Sequence, residues 1–278
     1  MINERIVIEE KTKDYNEAWI ETYFWQESEE LYPGQKRPVI VICPGGAYGM
    51  TSDREAEAIA VRFMGMGYHA VVLRYSVAPA RYPVALRQLA KTVALLRENS
   101  DKWHIEKNKI IVSGFSAGGH LAASLGVFWN TEELAGITGM ENERIRPNGM
   151  ILNYPVITSG VAGHEESFRN LLGDRYEELK DRMSLEFQVT EYTPRTFIWH
   201  TFEDQTVLLD NTLLFVQPFS CKLTPWFTGS CDSSAVFVGS QLICQADPMG
   251  SLRKMAEPRI PMVERGKDRK IIRDCCVG

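Results

Sequence analysis

Five short runs along the chain are dominated by apolar residues, and the stretches between them carry apolar residues only at every third or fourth position. Pro38-Val39-Ile40-Val41-Ile42, His69-Ala70-Val71-Val72-Leu73, Lys109-Ile110-Ile111-Val112-Ser113, Gly149-Met150-Ile151-Leu152-Asn153 and Thr196-Phe197-Ile198-Trp199-His200 have the length and β-branching of strands buried on both faces. Residues 6–8 and 19–24 read as earlier strands. One helix is predicted from about Asp53, whose side chain can cap it, through Met66, with Gly65 and Gly67 closing it. A second opens at Tyr82-Pro83, where Leu86, Leu89, Val93 and Leu96 recur at helical spacing and the proline sits in a tolerated first-turn position. A third follows residue 116 to about Phe128. Buried strands alternating with amphipathic helices predict an α/β fold with a mostly parallel sheet wrapped on both faces.

Two segments break this rhythm. Over residues 158–194, Phe168, Leu171, Leu172 and Phe187 are scattered among charges. This reads as a helical, cap-like insertion over the carboxyl edge of the sheet, where such folds place their sites. A peripheral packing helix without substrate contact is the equal alternative. A helix is expected from near Thr206, and from about Pro218 the pattern changes. Phe219-Ser220-Cys221-Lys222-Leu223-Thr224-Pro225 lacks helical spacing, Pro248, Pro258 and Pro261 follow, and only residues 234–244 read as a strand. The organisation expected is a core over 1–217 and a divergent or frame-shifted segment over 218–278.

The run at 109–113 leads into Gly114-Phe115-Ser116-Ala117-Gly118-Gly119-His120 and then Leu121-Ala122-Ala123-Ser124-Leu125. Strand, Gly-x-Ser-x-Gly and helix in that order form a nucleophile elbow, which holds a serine hydroxyl clear of its own backbone. Gly114 and Gly118 lack the Cβ atoms that would keep strand and helix apart. The helix N-terminus faces the site, so the Ala117 amide can stabilise a developing oxyanion. Ser116 is therefore the candidate covalent nucleophile.

Cys43-Pro44-Gly45-Gly46-Ala47-Tyr48, Ser52-Asp53-Arg54-Glu55, Arg74-Tyr75-Ser76-Val77-Ala78-Pro79, the helix from Tyr82-Pro83 and the elbow together resemble the α/β-hydrolase superfamily. Within it they are similar to the bacterial esterases related to acetyl-xylan esterases and hormone-sensitive-lipase-like carboxylesterases, over residues 18–217. The resemblance implies an α/β-hydrolase fold and hydrolysis of a short acyl ester, of which an acetylated sugar is one form. It places the amides of Gly46 and Ala47 beside that of Ala117 in an oxyanion hole, although a plain glycine-rich turn would look the same. It also implies Asp204, in His200-Thr201-Phe202-Glu203-Asp204-Gln205-Thr206-Val207, as the acid that orients a catalytic imidazole; capping of the helix near Thr206 is a compatible second use.

The chain order in this fold is Ser, Asp or Glu, then His. The five histidines are His69, His104, His120, His164 and His200, so the sequence from 201 to 278 contains none. His69 and His104 precede the amino ends of their strands, on the side away from Ser116, and His120 is placed to pack or bond locally. His200 and His164 remain as candidate substitute bases. The two readings are thus an esterase acting through an acyl-enzyme, and a hydrolase-fold protein that binds an ester or carbohydrate with little or no turnover. A peptidase or thioesterase is a weaker third, since the elbow does not discriminate among leaving groups.

Composition narrows the partners. With 31 basic and 36 acidic residues, net charge −5, and no long basic block, a nucleic-acid role has little electrostatic support. No run reaches the roughly 18 apolar residues of a membrane span, and Met1-Ile2-Asn3-Glu4-Arg5-Ile6 lacks the order of a secretory signal, so the expectation is a soluble, cytoplasmic protein. Cys43 stands apart from Cys221, Cys231, Cys244, Cys275 and Cys276, none at Cys-x-x-Cys spacing, which favours free thiols. No cofactor or metal is implied, the expected partner is a small-molecule ester, and a homo-oligomer is left open.

Overall fold

The structure is a computed structural model that describes residues 1–31 and 33–218, together with the backbone of 219–220, 227–231 and 235–239. The chain divides into one compact unit, Met1–Gln241, and a second, Leu242–Gly278, all of which lies outside the described residues.

The strands are β1 (Arg5–Glu9), β2 (Ala18–Tyr23), β3 (Arg37–Cys43), β4 (His69–Arg74), β5 (Ile105–Phe115), β6 (Gly149–Asn153), β7 (Thr196–Thr201), β8 (Phe227–Cys231) and β9 (Ala235–Gly239). They form one sheet in the order β1-β2-β4-β3-β5-β6-β7-β9-β8. From β4 to β7 the neighbours are parallel; β1 and β2 at one edge, and β9 and β8 at the other, pair antiparallel. The helices are α1 (Glu57–Gly65), α2 (Val84–Glu98), α3 (Ala117–Phe128), α4 (Glu132–Thr138), α5 (Asn142–Ile145), α6 (Glu165–Leu172), α7 (Tyr176–Leu179) and α8 (Asp210–Ser220). None among the described residues is long and apolar enough to cross a membrane.

The period-two alternation of side chains along a strand explains why the central strands are apolar throughout. Val39 and Val41 of β3 join Val71, Val112 and the α2 and α3 residues Leu89, Val93, Leu121 and Leu125 in one core cluster. Ile40 and Ile42, pointing the other way, join Ala70, Val72 and the α1 residue Ala60 in a second. Each of these valines, leucines and isoleucines withdrawn from water contributes about 1.5–3 kcal/mol.

Several boundaries differ from the sequence expectation. Asp53 does not cap α1: residues Asp53–Glu55 form a 3₁₀ turn, Ala56 breaks it at φ −117° and ψ −106°, and the Asp53 carboxylate pairs with Arg74 at 2.9 Å. Strand β5 begins four residues earlier than its apolar run, because Arg37 of β3 pairs with Ile105 before the register shift that leads to Val39 and Ile110. Helix α8 starts at Asp210 rather than near Thr206 and continues past Pro218, which lies inside its C-terminal part. The strand expected over 234–244 coincides with β9 in part, its remainder lying outside the described residues. Strand β8, with Phe227 as its one large apolar residue, was not expected. The 158–194 segment holds α6, α7 and two 3₁₀ turns, Gly173–Arg175 and Leu185–Phe187, between β6 and β7.

Candidate active site

Ser116 lies between the last residue of β5 and the first of α3, at φ 51° and ψ −119°. A non-glycine residue there stores on the order of 1–3 kcal/mol of strain and persists only where its surroundings over-determine it. They do so here. The Ser116 N–H donates to the Asn153 carbonyl (3.1 Å), and its own carbonyl accepts from the N–H groups of His120 (3.1 Å) and Val156 (3.0 Å). Strand and helix meet because nothing separates them: a Cβ on Gly114 would fall on the Gly118 carbonyl, and one on Gly118 would fall on the carbonyl of Cys43.

Parallel pairing of β3 with β5, in the register Cys43 to Gly114, brings the Pro44–Tyr48 loop out beside the elbow. The point a Cβ would occupy on Gly45 is 3.0 Å from the Ser116 Cβ. Gly46, Ala47 and Tyr48 then run at φ 126°, 52° and 56°. Peptide units are planar and trans, so a fixed carbonyl aims the next N–H the opposite way. The Gly45 carbonyl is fixed by the Ser52 N–H (2.9 Å), which aims the Gly46 amide. The Gly46 carbonyl is fixed by the N–H groups of Gly49 (2.8 Å) and Met50 (3.1 Å), which aims that of Ala47. Among the described residues, the N–H groups of Gly46, Ala47 and Ala117 meet no hydrogen-bond acceptor.

The loop is also held from two other elements. Asn170 of α6 donates to the Ala47 carbonyl at 2.9 Å, so the insertion does touch this region. The Tyr48 hydroxyl meets His120 Nδ1 at 2.9 Å, and His120 Nε2 meets the Met183 carbonyl at 2.9 Å. A carbonyl only accepts, so Nε2 carries the proton and Nδ1 accepts from Tyr48. Burial pushes the His120 pKa down to about 4. It is a neutral, structural imidazole.

Asp204 follows β7, and its Oδ1 accepts the N–H groups of Thr206 (2.9 Å) and Val207 (3.0 Å). Those bonds close a turn ahead of α8 instead of capping the helix. The two candidate substitute bases have other partners. His200 is fully buried; its Nε2 donates to the Val207 carbonyl (2.7 Å), its Nδ1 meets the Thr212 hydroxyl (2.8 Å), and Asp204 Oδ2 lies 3.6 Å away. Burial lowers its pKa, and both ring nitrogens are committed. His164 is the N-cap of α6, its Nδ1 bonded to the Ser167 hydroxyl (2.9 Å) and N–H (3.4 Å). His69 bonds the Trp25 N–H and the His104 carbonyl, and His104 pairs with Glu27, at the amino ends of β4 and β5. No hydrogen bond joins any histidine ring to Ser116 among the described residues.

Two neighbours of Ser116 were missed by the sequence reading. Glu55 accepts the Gly45 N–H at 2.6 Å and the Tyr154 hydroxyl at 2.7 Å. Tyr154 sits at φ 36° directly after β6, its ring edge-on to Phe115 and Trp199. Burial and the Glu55 carboxylate raise its pKa, with a smaller contribution from Asp204. A carboxylate a few residues past a glycine loop was the available signal, but its partners are set by strand order.

The BD-FAE family model matches residues 30–218, which include β3, the glycine loop, the elbow, the insertion and Asp204. The chain belongs to the BD-FAE family. A curated relative of this BD-FAE protein, endo-1,4-beta-xylanase B of Butyrivibrio fibrisolvens, is 35% identical over 228 residues, covering 73% of this chain and 35% of the relative. The acetylxylan esterase of Xylanibacter ruminicola is 31% identical over 138 residues, covering 48% and 26%. The chain thus spans about a third or less of the length of these relatives. Among solved structures, the acetyl ester-xyloside bifunctional hydrolase of Caldicellulosiruptor lactoaceticus superposes with a TM-score of 0.69 at 31% identity, covering 80% of this chain and 83% of that one. The BD-FAE chain therefore has the α/β-hydrolase fold of these esterases, and the sheet order and elbow described above are its local expression.

Proposed function

We propose that this BD-FAE protein is a serine carboxylesterase that hydrolyses short acyl esters through an acyl-enzyme at Ser116. The single observation that carries the reading is the strained Ser116 elbow set against the Pro44–Tyr48 loop, whose Gly46 and Ala47 N–H groups, unpaired among the described residues, are those an oxyanion requires. In this reading the Ser116 oxygen attacks the ester carbonyl, and its proton passes through water to the departing alkoxide. The amides of Gly46, Ala47 and Ala117 hold the tetrahedral oxyanion, the alcohol departs with a proton, and water then releases the acid. Asp204, on its place after β7, is assigned the acid of the site, and among the described residues no imidazole bridges it to Ser116. The names of the relatives, an acetylxylan esterase and an acetyl ester-xyloside hydrolase, favour an acetylated sugar as the ester.

One specific observation favours a second reading, ligand binding without turnover: residues 205–278 carry no histidine, and the five histidines have other partners among the described residues. Loss of a triad member costs about 10⁴–10⁶ in rate and leaves binding and oxyanion contributions in place. Hydrolysis of p-nitrophenyl acetate by the full chain and by Ser116→Ala separates the two. Slow hydrolysis abolished by the substitution supports the esterase. Equal rates, with an acetylated xylo-oligosaccharide still bound, support the binder.

A further inference from the structure

We infer that Glu55 is a positioning residue of the acyl-transfer site, its carboxylate tying the oxyanion loop to Tyr154 across the top of Ser116. The inference rests on the esterase reading above and extends it to a residue which that reading leaves unused.

Strand order supplies the argument. In the sheet β3, β5 and β6 are consecutive and parallel, with Cys43 opposite Gly114 and Phe115 opposite Asn153. The segments leaving these strands therefore emerge in one row: Gly45, Ser116, Tyr154. Ser116 is in the middle. Glu55 belongs to none of the three strands, yet its Oε2 accepts from Gly45 and its Oε1 from Tyr154, one oxygen to each flank of the nucleophile. The site a Cβ would take on Gly45 is 2.8 Å from Glu55 Oε2 and 3.0 Å from Ser116 Cβ, so carboxylate and nucleophile close on the same point.

The carboxylate is itself anchored. Arg74, at the end of β4, pairs with Asp53 at 2.9 Å and donates to the Thr51 carbonyl at 3.4 Å, holding the 3₁₀ turn that carries Glu55. Gly45 is gripped at both polar groups, its N–H by Glu55 and its carbonyl by the Ser52 N–H. Both peptide planes flanking Gly45 are thereby fixed, and the second of them contains the Gly46 N–H. On the far side, Tyr154 shares its turn with Asn153, whose carbonyl holds the Ser116 N–H. Loss of the carboxylate would free the loop and the tyrosine together while leaving Ser116, α3 and the core untouched.

The substitutions differ in what they keep. Glu55→Ala removes both ties. Glu55→Gln keeps an acceptor for Gly45 and offers its amide N–H to the Tyr154 oxygen, so the bridge survives with the phenol proton turned away. Tyr154→Phe removes one tie only. The full chain and these variants are compared for melting temperature, for Ser116-dependent p-nitrophenyl acetate hydrolysis, and for backbone amide exchange over residues 44–50. Misdirecting one oxyanion donor costs about 100-fold in kcat. Glu55→Ala is expected to lose about that factor with little change in KM, Glu55→Gln to recover to within about tenfold, and Tyr154→Phe to fall between them. Should Glu55→Ala not fold, the ordering of wild type, Glu55→Gln and Tyr154→Phe carries the comparison. A kcat within about threefold of wild type in Glu55→Ala, or in Tyr154→Phe where that variant stands in, overturns the inference. Absence of Ser116-dependent turnover in the wild type overturns the esterase reading instead, and Glu55 is then judged by amide exchange. Exchange over 44–50 about tenfold faster in Glu55→Ala than in wild type and Glu55→Gln supports the tie; equal exchange in all variants removes it.

Discussion

The Tyr48 hydroxyl donates to Nδ1 of His120 at 2.9 Å, joining the loop after β3 to the helix that Ser116 initiates. The Met183 carbonyl fixes the tautomer from the other side, and the ring packs edge-on to Phe168 of α6. One imidazole therefore couples loop, elbow helix and insertion, and it does so only while neutral. With a folded pKa of about 4 against about 6.5 unfolded, protonation favours unfolding. Its contribution is complete above pH ~6.5 and is lost as pH falls toward 4, by on the order of 3 kcal/mol. Denaturation profiles at pH 7 and pH 4.5 should show that loss in the wild type and a flatter dependence in His120→Gln.

Glu9 also loses its contribution on acidification, over a lower pH window. Burial opposes its charge, but hydrogen bonds from Arg87, Lys91 and Gln88 outweigh that and bring its pKa from 4.5 to about 2. Its contribution is present above pH 4.5 and lost as pH falls from there to about 2. Glu9→Gln should destabilise the protein by about 2 kcal/mol at pH 7, and the gap to wild type should shrink as pH approaches 2. Urea midpoints across that range give the test.

Glycine substitutions separate close packing from mere helix propensity. Gly118→Ala places a methyl on the Cys43 and Pro44 carbonyls, both backbone, and should prevent folding to a soluble monodisperse protein. Gly136, inside α4, has nothing within 4 Å of the added atom. Gly136→Ala should raise stability by about 0.5–1 kcal/mol. Size-exclusion chromatography of Gly118→Ala and circular dichroism melts of Gly136→Ala against wild type make the comparison.

Asn170 donates to the Ala47 carbonyl from α6. Asn170→Ala should leave the melting temperature within a few degrees and lower Ser116-dependent kcat by about fivefold, the worth of one hydrogen bond of about 1 kcal/mol. Steady-state kinetics, with kcat and KM resolved, read it out.

What could be read from the sequence is what local pattern determines. The alternation of Val39, Ile40, Val41 and Ile42 between two cores, the strand-turn-helix around Ser116 and the glycines that permit it all follow from neighbours in the chain. What escaped depended on distant partners. Asp53 has the chemistry of a helix cap, yet Arg74 on a neighbouring strand takes it. His200 ends a strand near the edge of the sheet where the site lies, yet Thr212 and Val207 occupy both its nitrogens. Glu55 could not be singled out because its partners, Gly45 and Tyr154, become neighbours only when β3, β5 and β6 lie side by side. That residues 201–278 carry no histidine, by contrast, is read directly from the order of residues.

The most direct test of Ser116 as nucleophile is reaction of the full chain with a fluorophosphonate, followed by peptide mass spectrometry. One adduct per chain on the peptide carrying Ser116, absent from Ser116→Ala, is the expected result. No adduct, or an adduct on another residue, would contradict the assignment.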